Sequence, residues 1–300
     1  MKIFCTGTSG YIGGSVATHL AAAGHHVTGL VRSPEKAGAV RAFGIEPLMG
    51  TLDDADILAR AAQAADIVVN AASADHRGAV TSLLDALAGS GKPLIHTSGS
   101  SIVGTRARGE RIDAVFDEDT PVTPSSARAA RVALNEFILS YRDKGCRPVI
   151  ICPSLIYGIG HGAGRDSVQV PLLIKLAKKR GNAAHAGPGE NIWSNVHIDD
   201  LVTLYALAIA KAPAGSFYFA ENGENSMRET CEAINRMLGF AGPPAAMSMQ
   251  EAAAEWGEGT TEDTMASNSR VRAKRARNEL GWQPKARGLI EEIEQGCYRE

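Results

Sequence analysis

Gly7, Gly10 and Gly13 stand three residues apart in the segment Thr6-Gly7-Thr8-Ser9-Gly10-Tyr11-Ile12-Gly13, and that spacing suits a phosphate-binding turn. Glycine accepts positive φ and lets backbone N–H groups approach a pyrophosphate closely. A helix N-terminus behind such a turn adds partial positive charge. The apolar run Lys2-Ile3-Phe4-Cys5 precedes the turn and the amphipathic stretch Val16 to Ala23 follows it. The turn therefore falls at a strand–helix junction, the context that gives a glycine motif its specificity. The candidate binding residues here are Gly7, Thr8, Ser9, Gly10, Tyr11, Ile12 and Gly13.

The end of the second strand decides between the two nicotinamide dinucleotides. A carboxylate there would bond the ribose 2′-hydroxyl and repel a 2′-phosphate. The segment reads Gly29-Leu30-Val31-Arg32-Ser33-Pro34-Glu35-Lys36, with no acid at the strand end. Arg32, Ser33 and Lys36 instead favour NADP(H) over NAD(H), because a guanidinium binds phosphate bidentately. Arg32 stacked on adenine or capping the sheet edge is the plainer alternative.

These residues need a scaffold. Strands read at Ile3-Cys5, His26-Val31, Glu46-Met49, Ile67-Ala71, Leu94-Thr97 and Val149-Cys152, with helices at 12–23, 34–42, 53–63, 76–90 and 126–144 between them. Regular alternation predicts an α/β fold, a Rossmann-type doubly wound parallel sheet. After Cys152 comes a glycine-rich loop, a helix at 168–180, a loop over Gly181–Ser194, a helix at 199–211 and a strand at Ser216–Ala220. The expected division is a dinucleotide-binding core over 1–152 and, over 153–300, mostly a small C-terminal substrate lobe with some segments returning to the core.

The Gly-x-x-Gly-x-x-Gly pattern, with Thr in front and Tyr-Ile before the last glycine, resembles the extended short-chain dehydrogenase/reductase superfamily, whose members include NAD-dependent epimerases and dehydratases. Leu155-Ile156-Tyr157-Gly158, Asn195-Val196-His197-Ile198-Asp199-Asp200 and Glu279-Leu280-Gly281-Trp282-Gln283-Pro284 resemble later motifs of that superfamily, in order. The resemblance implies that Thr51 and Leu52 flank the adenine. It implies that Ala71, Ala72 and Ser73 line the ribose and pyrophosphate, and that Pro153 lies against the nicotinamide.

The superfamily's usual acid, a Tyr-x-x-x-Lys pair, is missing: none of the six tyrosines is followed four residues later by lysine. Two registers of the helix Ser125–Glu136 are open. One puts Arg128 and Val132 at the Tyr and Lys positions, the other Ala127 and Arg131. Arginine stays protonated and cannot serve as the acid. Arg128 or Arg131 could bind the ribose or polarise a substrate oxygen as a fixed charge, or could lie on a solvated face. Ser98 and Ser100 follow the fifth strand, where ligands bind in such sheets, and resemble the superfamily's Ser/Thr position; strand-end serines also act as caps. Tyr157 is a proton-donor candidate, with His161 nearby as a substrate contact; packing is the alternative for Tyr157.

Trp193 stands where sugar-nucleotide enzymes of the superfamily carry a diphosphate-gripping arginine. An indole cannot replace that contact. It suits an apolar substrate, or core packing. The expected function is an atypical NADP(H)-dependent oxidoreductase acting on a small, apolar carbonyl or alcohol. A non-catalytic NADP(H)-binding sensor and an altered sugar-nucleotide epimerase or dehydratase are the alternatives.

The 300 residues, 44% hydrophobic, suffice for this architecture, and a net charge of −2 implies no nucleic-acid partner. The basic run 270–277 reads as a solvated helix face. Five scattered cysteines, without a Cys-x-x-Cys pair, predict neither metal nor disulfide. No apolar run is long enough to span a bilayer, so the expectation is a cytoplasmic protein without a membrane partner. The superfamily resemblance adds a possible homodimer through helices 76–90 and 126–144.

Overall fold

The computed structural model describes residues 1–299. Its centre is a sheet of β1 (Lys2–Thr6), β2 (His26–Val31), β3 (Glu46–Met49), β4 (Ile67–Asn70), β5 (Pro93–Thr97), β6 (Arg147–Pro153) and β7 (Ser216–Ala220). The order across the sheet is β7-β6-β5-β4-β1-β2-β3, and every pairing is parallel. β4 and β5 are buried along their whole length, as continuous apolar runs in a two-sided sheet must be.

Helices α1 (Tyr11–Ala22), α2 (Pro34–Arg41), α3 (Ala55–Ala64), α4 (Arg77–Leu87) and α5 (Ala129–Ser140) cross between strands. The first switch in strand order lies between β1 and β4, and there the loops after β1 and β4 diverge to opposite faces. Such a crevice, at the carboxyl ends of the strands, is the place for a ligand. Helix α5 begins three residues later than the pattern 126–144 predicts. Pro121 and Pro124 precede it, and residues 126–128 form a turn before the helix starts.

The second half both joins the sheet and builds a lobe. β7 extends the sheet beyond β6, and α7 (Ile198–Lys211) packs against α1. The lobe holds α6 (Gln169–Arg180), α8 (Met227–Leu238) and a small sheet in which Ile192–His197 lies between Leu155–Tyr157 and Glu224–Ser226. The stretch 181–194, expected to be a loop, contains the strand Ala184–Ala186 and the start of the strand Ile192–His197.

Two of the sequence motifs meet in space. The buried Asp200 carboxylate accepts hydrogen bonds from the Lys285 N–H (2.7 Å) and the Ala286 N–H (3.1 Å), while Trp282 Nε1 donates to the Asp200 carbonyl at 2.9 Å. The basic run is not one solvated helix face. Arg270 is buried and bidentate to Glu224, and the helix starts only at Lys274. Among the described residues, no helix is long and apolar enough to cross a membrane.

Candidate active site

A cavity of about 570 Å³ opens at the carboxyl ends of β1, β2 and β4. Gly7, Ser9, Gly10, Arg32, Lys36, Thr51, Leu52, Ala71, Ala72 and Ser73 all line it, drawn from four loops far apart in sequence. Gly7 has φ +75°, and a β-carbon there would sit 2.6 Å from the Ala71 carbonyl oxygen. At Gly13 a β-carbon would lie 2.5 Å from the Gly7 carbonyl oxygen, so α1 can start this close to the turn only with glycine there. The shape and its backbone-walled entrance fit a dinucleotide.

The remaining residues of the glycine segment build the turn instead of lining the cavity. Thr8 is buried, its hydroxyl 3.4 Å from the Leu30 carbonyl. Ile12 packs into the core. Tyr11 corrects its expectation as a cofactor contact: its hydroxyl donates to the Gly158 carbonyl at 2.8 Å, which fastens the 158–164 loop onto α1. Ser33 caps α2, accepting from the Lys36 N–H at 3.3 Å. Arg32 is exposed at the cavity edge.

Sequence reasoning missed Asp53 and His76 in the cavity wall. His76 Nδ1 accepts from the Ala79 N–H at the start of α4, and its Nε2 lies 3.1 Å from Asp53 Oδ1. The position of His76 just before a helix was the available signal. Below the cavity runs a buried chain. The Thr6 hydroxyl accepts from the Ala72 N–H and donates to Asn70 Oδ1 at 2.6 Å, and Asn70 Nδ2 donates to His96 Nδ1 at 3.0 Å. Burial lowers the His96 imidazole to about 4, so it stays neutral.

The tertiary packing gives the two arginines of α5 different partners. Arg131 and Asn135 lie on the inner face of α5, whereas Glu136 is exposed. Val132 also packs against the core, so α5 turns residues of both registers inward. Arg131 Nε donates to Asp75 Oδ1 at 2.7 Å, Nη2 donates to Asp75 Oδ2, and Nη1 donates to the Ser101 hydroxyl at 3.2 Å. This fork holds the Asp75 carboxyl below its usual range. Arg128 faces Asp263 at 3.6 Å. Both arginine side chains are more than four-fifths covered (19% and 17% exposed), so neither lies on a solvated face.

Other candidates are turned elsewhere. Ser100 is buried and its hydroxyl accepts from Ser269 at 2.8 Å. Ser98 accepts from Asn135 Nδ2 at 3.0 Å, also buried. It is Gly99, between them, that faces Arg131: a β-carbon there would lie 3.6 Å from Nη1. Tyr157 is fully buried and donates to the Arg287 carbonyl at 2.7 Å, which removes it as a proton donor. Its strand pairs with Asn195–His197, and that pairing turns the ring into the lobe core. Trp193 is likewise core, its Nε1 donating to the Ser267 carbonyl at 2.8 Å, and no longer argues for an apolar substrate. His161 Nε2 lies 2.6 Å from Asp199 Oδ1, directed at the start of α7. Pro153 is buried at the end of β6, in register with Ala220 of β7.

Comparison with known families adds to this geometry. Residues 3–218 match the model of the NAD dependent epimerase/dehydratase family. The chain belongs to that family. Its relatives include the oxidase ucsJ of Acremonium sp, 32% identical over 98% of this chain and 95% of that protein. The 2-alkyl-3-oxoalkanoate reductase of Stenotrophomonas maltophilia is 28% identical, over 81% of this chain and 77% of its own length. Among solved structures of the family's fold, the dTDP-glucose 4,6-dehydratase of Bacillus anthracis, in complex with NAD, superposes with a TM-score of 0.78. That match is at 19% identity and covers 98% of this chain and 95% of the other.

Proposed function

We propose that this chain is an atypical NADP(H)-dependent oxidoreductase acting on a small carbonyl or alcohol. The observation that carries the reading is the shared cavity, in which Arg32 and Lys36 stand at the rim beside a glycine turn shaped for a pyrophosphate. Arg32 makes no ion pair among the described residues, which leaves its guanidinium available for a 2′-phosphate. Family membership and the reductase name of the Stenotrophomonas relative support hydride chemistry.

When bound, NADPH supplies the hydride. Arg131 acts on the substrate oxygen through Nη1, a fixed positive charge beside Gly99 that stabilises negative charge developing there. Arg131 does not give up its own proton, since guanidinium stays charged. With Tyr157 buried, the proton comes from water. The burial of Tyr157 also supports a second reading, a non-catalytic NADP(H) sensor.

One experiment separates them. The protein is mixed with NADPH and a panel of aldehydes and ketones, and the absorbance of the reduced nicotinamide is followed, with NADPH affinity measured in parallel. Turnover of a panel member establishes the enzyme. Micromolar NADPH binding without turnover of any member favours the sensor, and an absence of binding removes both readings.

A further inference from the structure

The charges around Arg131 cancel in pairs. Arg131 is engaged on its Nε and Nη2 edge by Asp75. Arg128 faces Asp263 at 3.6 Å, and Arg106 reaches the same Asp263 at 2.6 Å and Glu262 at 3.0 Å. Three guanidiniums therefore meet three carboxylates around the start of α5. Arg270, on the lobe side, is spent bidentately on Glu224.

An anion approaching Arg131 meets a charge that Asp75 already balances, and it must either displace that carboxylate or share the guanidinium with it. Like charges placed together disfavour the wrong ligand far more than they disturb a neutral one. A carbonyl oxygen, by contrast, needs only one N–H, and Nη1 points to the Gly99 and Ser101 side, away from the Asp75 fork.

We infer that the Nη1 side of Arg131, facing Gly99, selects an uncharged carbonyl substrate, and that Asp75, which like Arg131 is not in the wall of the nucleotide cavity, is the residue that sets this selectivity. The inference rests on the oxidoreductase reading above and deepens it. It separates this chain from its Stenotrophomonas relative, whose name specifies an oxoalkanoate. Asp75 is a specificity residue acting through Arg131. Its side chain is 58% exposed, so replacing it leaves the fold with little to repair.

The test uses a matched pair of probes, phenylglyoxylate and its ethyl ester, on the full chain saturated with NADPH. Wild type is expected to turn over the ester with a kcat/KM roughly 100-fold above the carboxylate. Asp75→Asn keeps an acceptor for Arg131 but removes the negative charge, and should narrow that ratio by about tenfold or more. A binding arm uses the NADP⁺ complex. Phenylglyoxylate should leave the thermal midpoint of wild type unchanged and raise that of Asp75→Asn, since a ligand of the native state stabilises it. Asp263→Asn, which frees Arg128, should shift both readouts the same way.

A wild type that favours the carboxylate overturns the inference. So does an Asp75→Asn variant with an unchanged ratio and no carboxylate-dependent midpoint shift. If neither probe is turned over, the midpoint arm decides alone: a shift confined to Asp75→Asn upholds the selection at Arg131, no shift overturns it, and the missing turnover counts only against the oxidoreductase reading.

Discussion

In the proposed function, Arg32 and Arg131 have different tasks with the same guanidinium. Arg32 is exposed at the cavity edge, so it is available to a phosphate. Replacement by aspartate should weaken NADPH binding by roughly 100-fold while changing NADH less than about threefold, measured by fluorescence titration of the two cofactors. Equal losses would end the NADP(H) preference. Arg131 is covered and oriented by Asp75 and Ser101. Arg131→Met should lower kcat by about 100-fold or more, with NADPH affinity changed far less, and Arg131→Lys should recover part of the loss. Arg32 was legible in sequence because it stands at a strand end of known direction. The partners of Arg128 and Arg131 were not, because Asp263 and Asp75 lie far from them in the sequence.

At the scale of elements, the carboxyl ends of β1, β4 and β5 are tied together beneath the cavity by Thr6, Asn70 and His96. His96 lies wholly buried in β5, and its imidazole titrates near pH 4 in the fold against an ordinary value of 6.5. The folded state therefore binds this proton less readily than the unfolded chain. Stability is complete above about pH 6.5 and declines as the pH falls toward 4, by roughly 3 kcal/mol in all. Urea unfolding at pH 7.5 and pH 5 should show the decline in wild type and a reduced slope in His96→Gln. The same slope in both proteins would place the acid sensitivity elsewhere. Sequence alternation was enough to place His96 inside the strand, as core. That it bonds Asn70 required the parallel register of β4 and β5, in which the two residues are direct neighbours.

Across the whole molecule, the C-terminal segment is fastened back to α7 by Asp200 and Trp282. Asp200→Ala removes the carboxylate that the part-buried N–H groups of Lys285 and Ala286 bond, at a cost of roughly 1–2 kcal/mol. The expected outcome is a lower thermal midpoint and faster proteolytic cleavage after Trp282, with partial recovery in Asp200→Asn. An unchanged midpoint would mean that the segment is held by other contacts. The segment also supplies Ser269, whose hydroxyl bonds Ser100. Residues more than 160 apart are thus joined in the interior behind the end of β5.

By itself, the sequence determined what depends on local chemistry and on short-range order. The glycine turn, the alternation of strands and helices, the missing carboxylate after β2 and the missing Tyr-x-x-x-Lys pair are all properties of neighbouring residues. These are the features that placed the cavity and its wall. Direction was left to the tertiary structure. Tyr157 and Trp193 occupy expected places in the chain, yet strand pairing in the lobe turns both rings into its core. Arg128 and Arg131 are equivalent on paper, and only the packing of α5 on β6 and α4 gives them different partners. Their neutralisation by Asp75 and Asp263, which lie 56 and 135 positions away, could not be read before the chain was folded, because a charge's effect depends on distance in space.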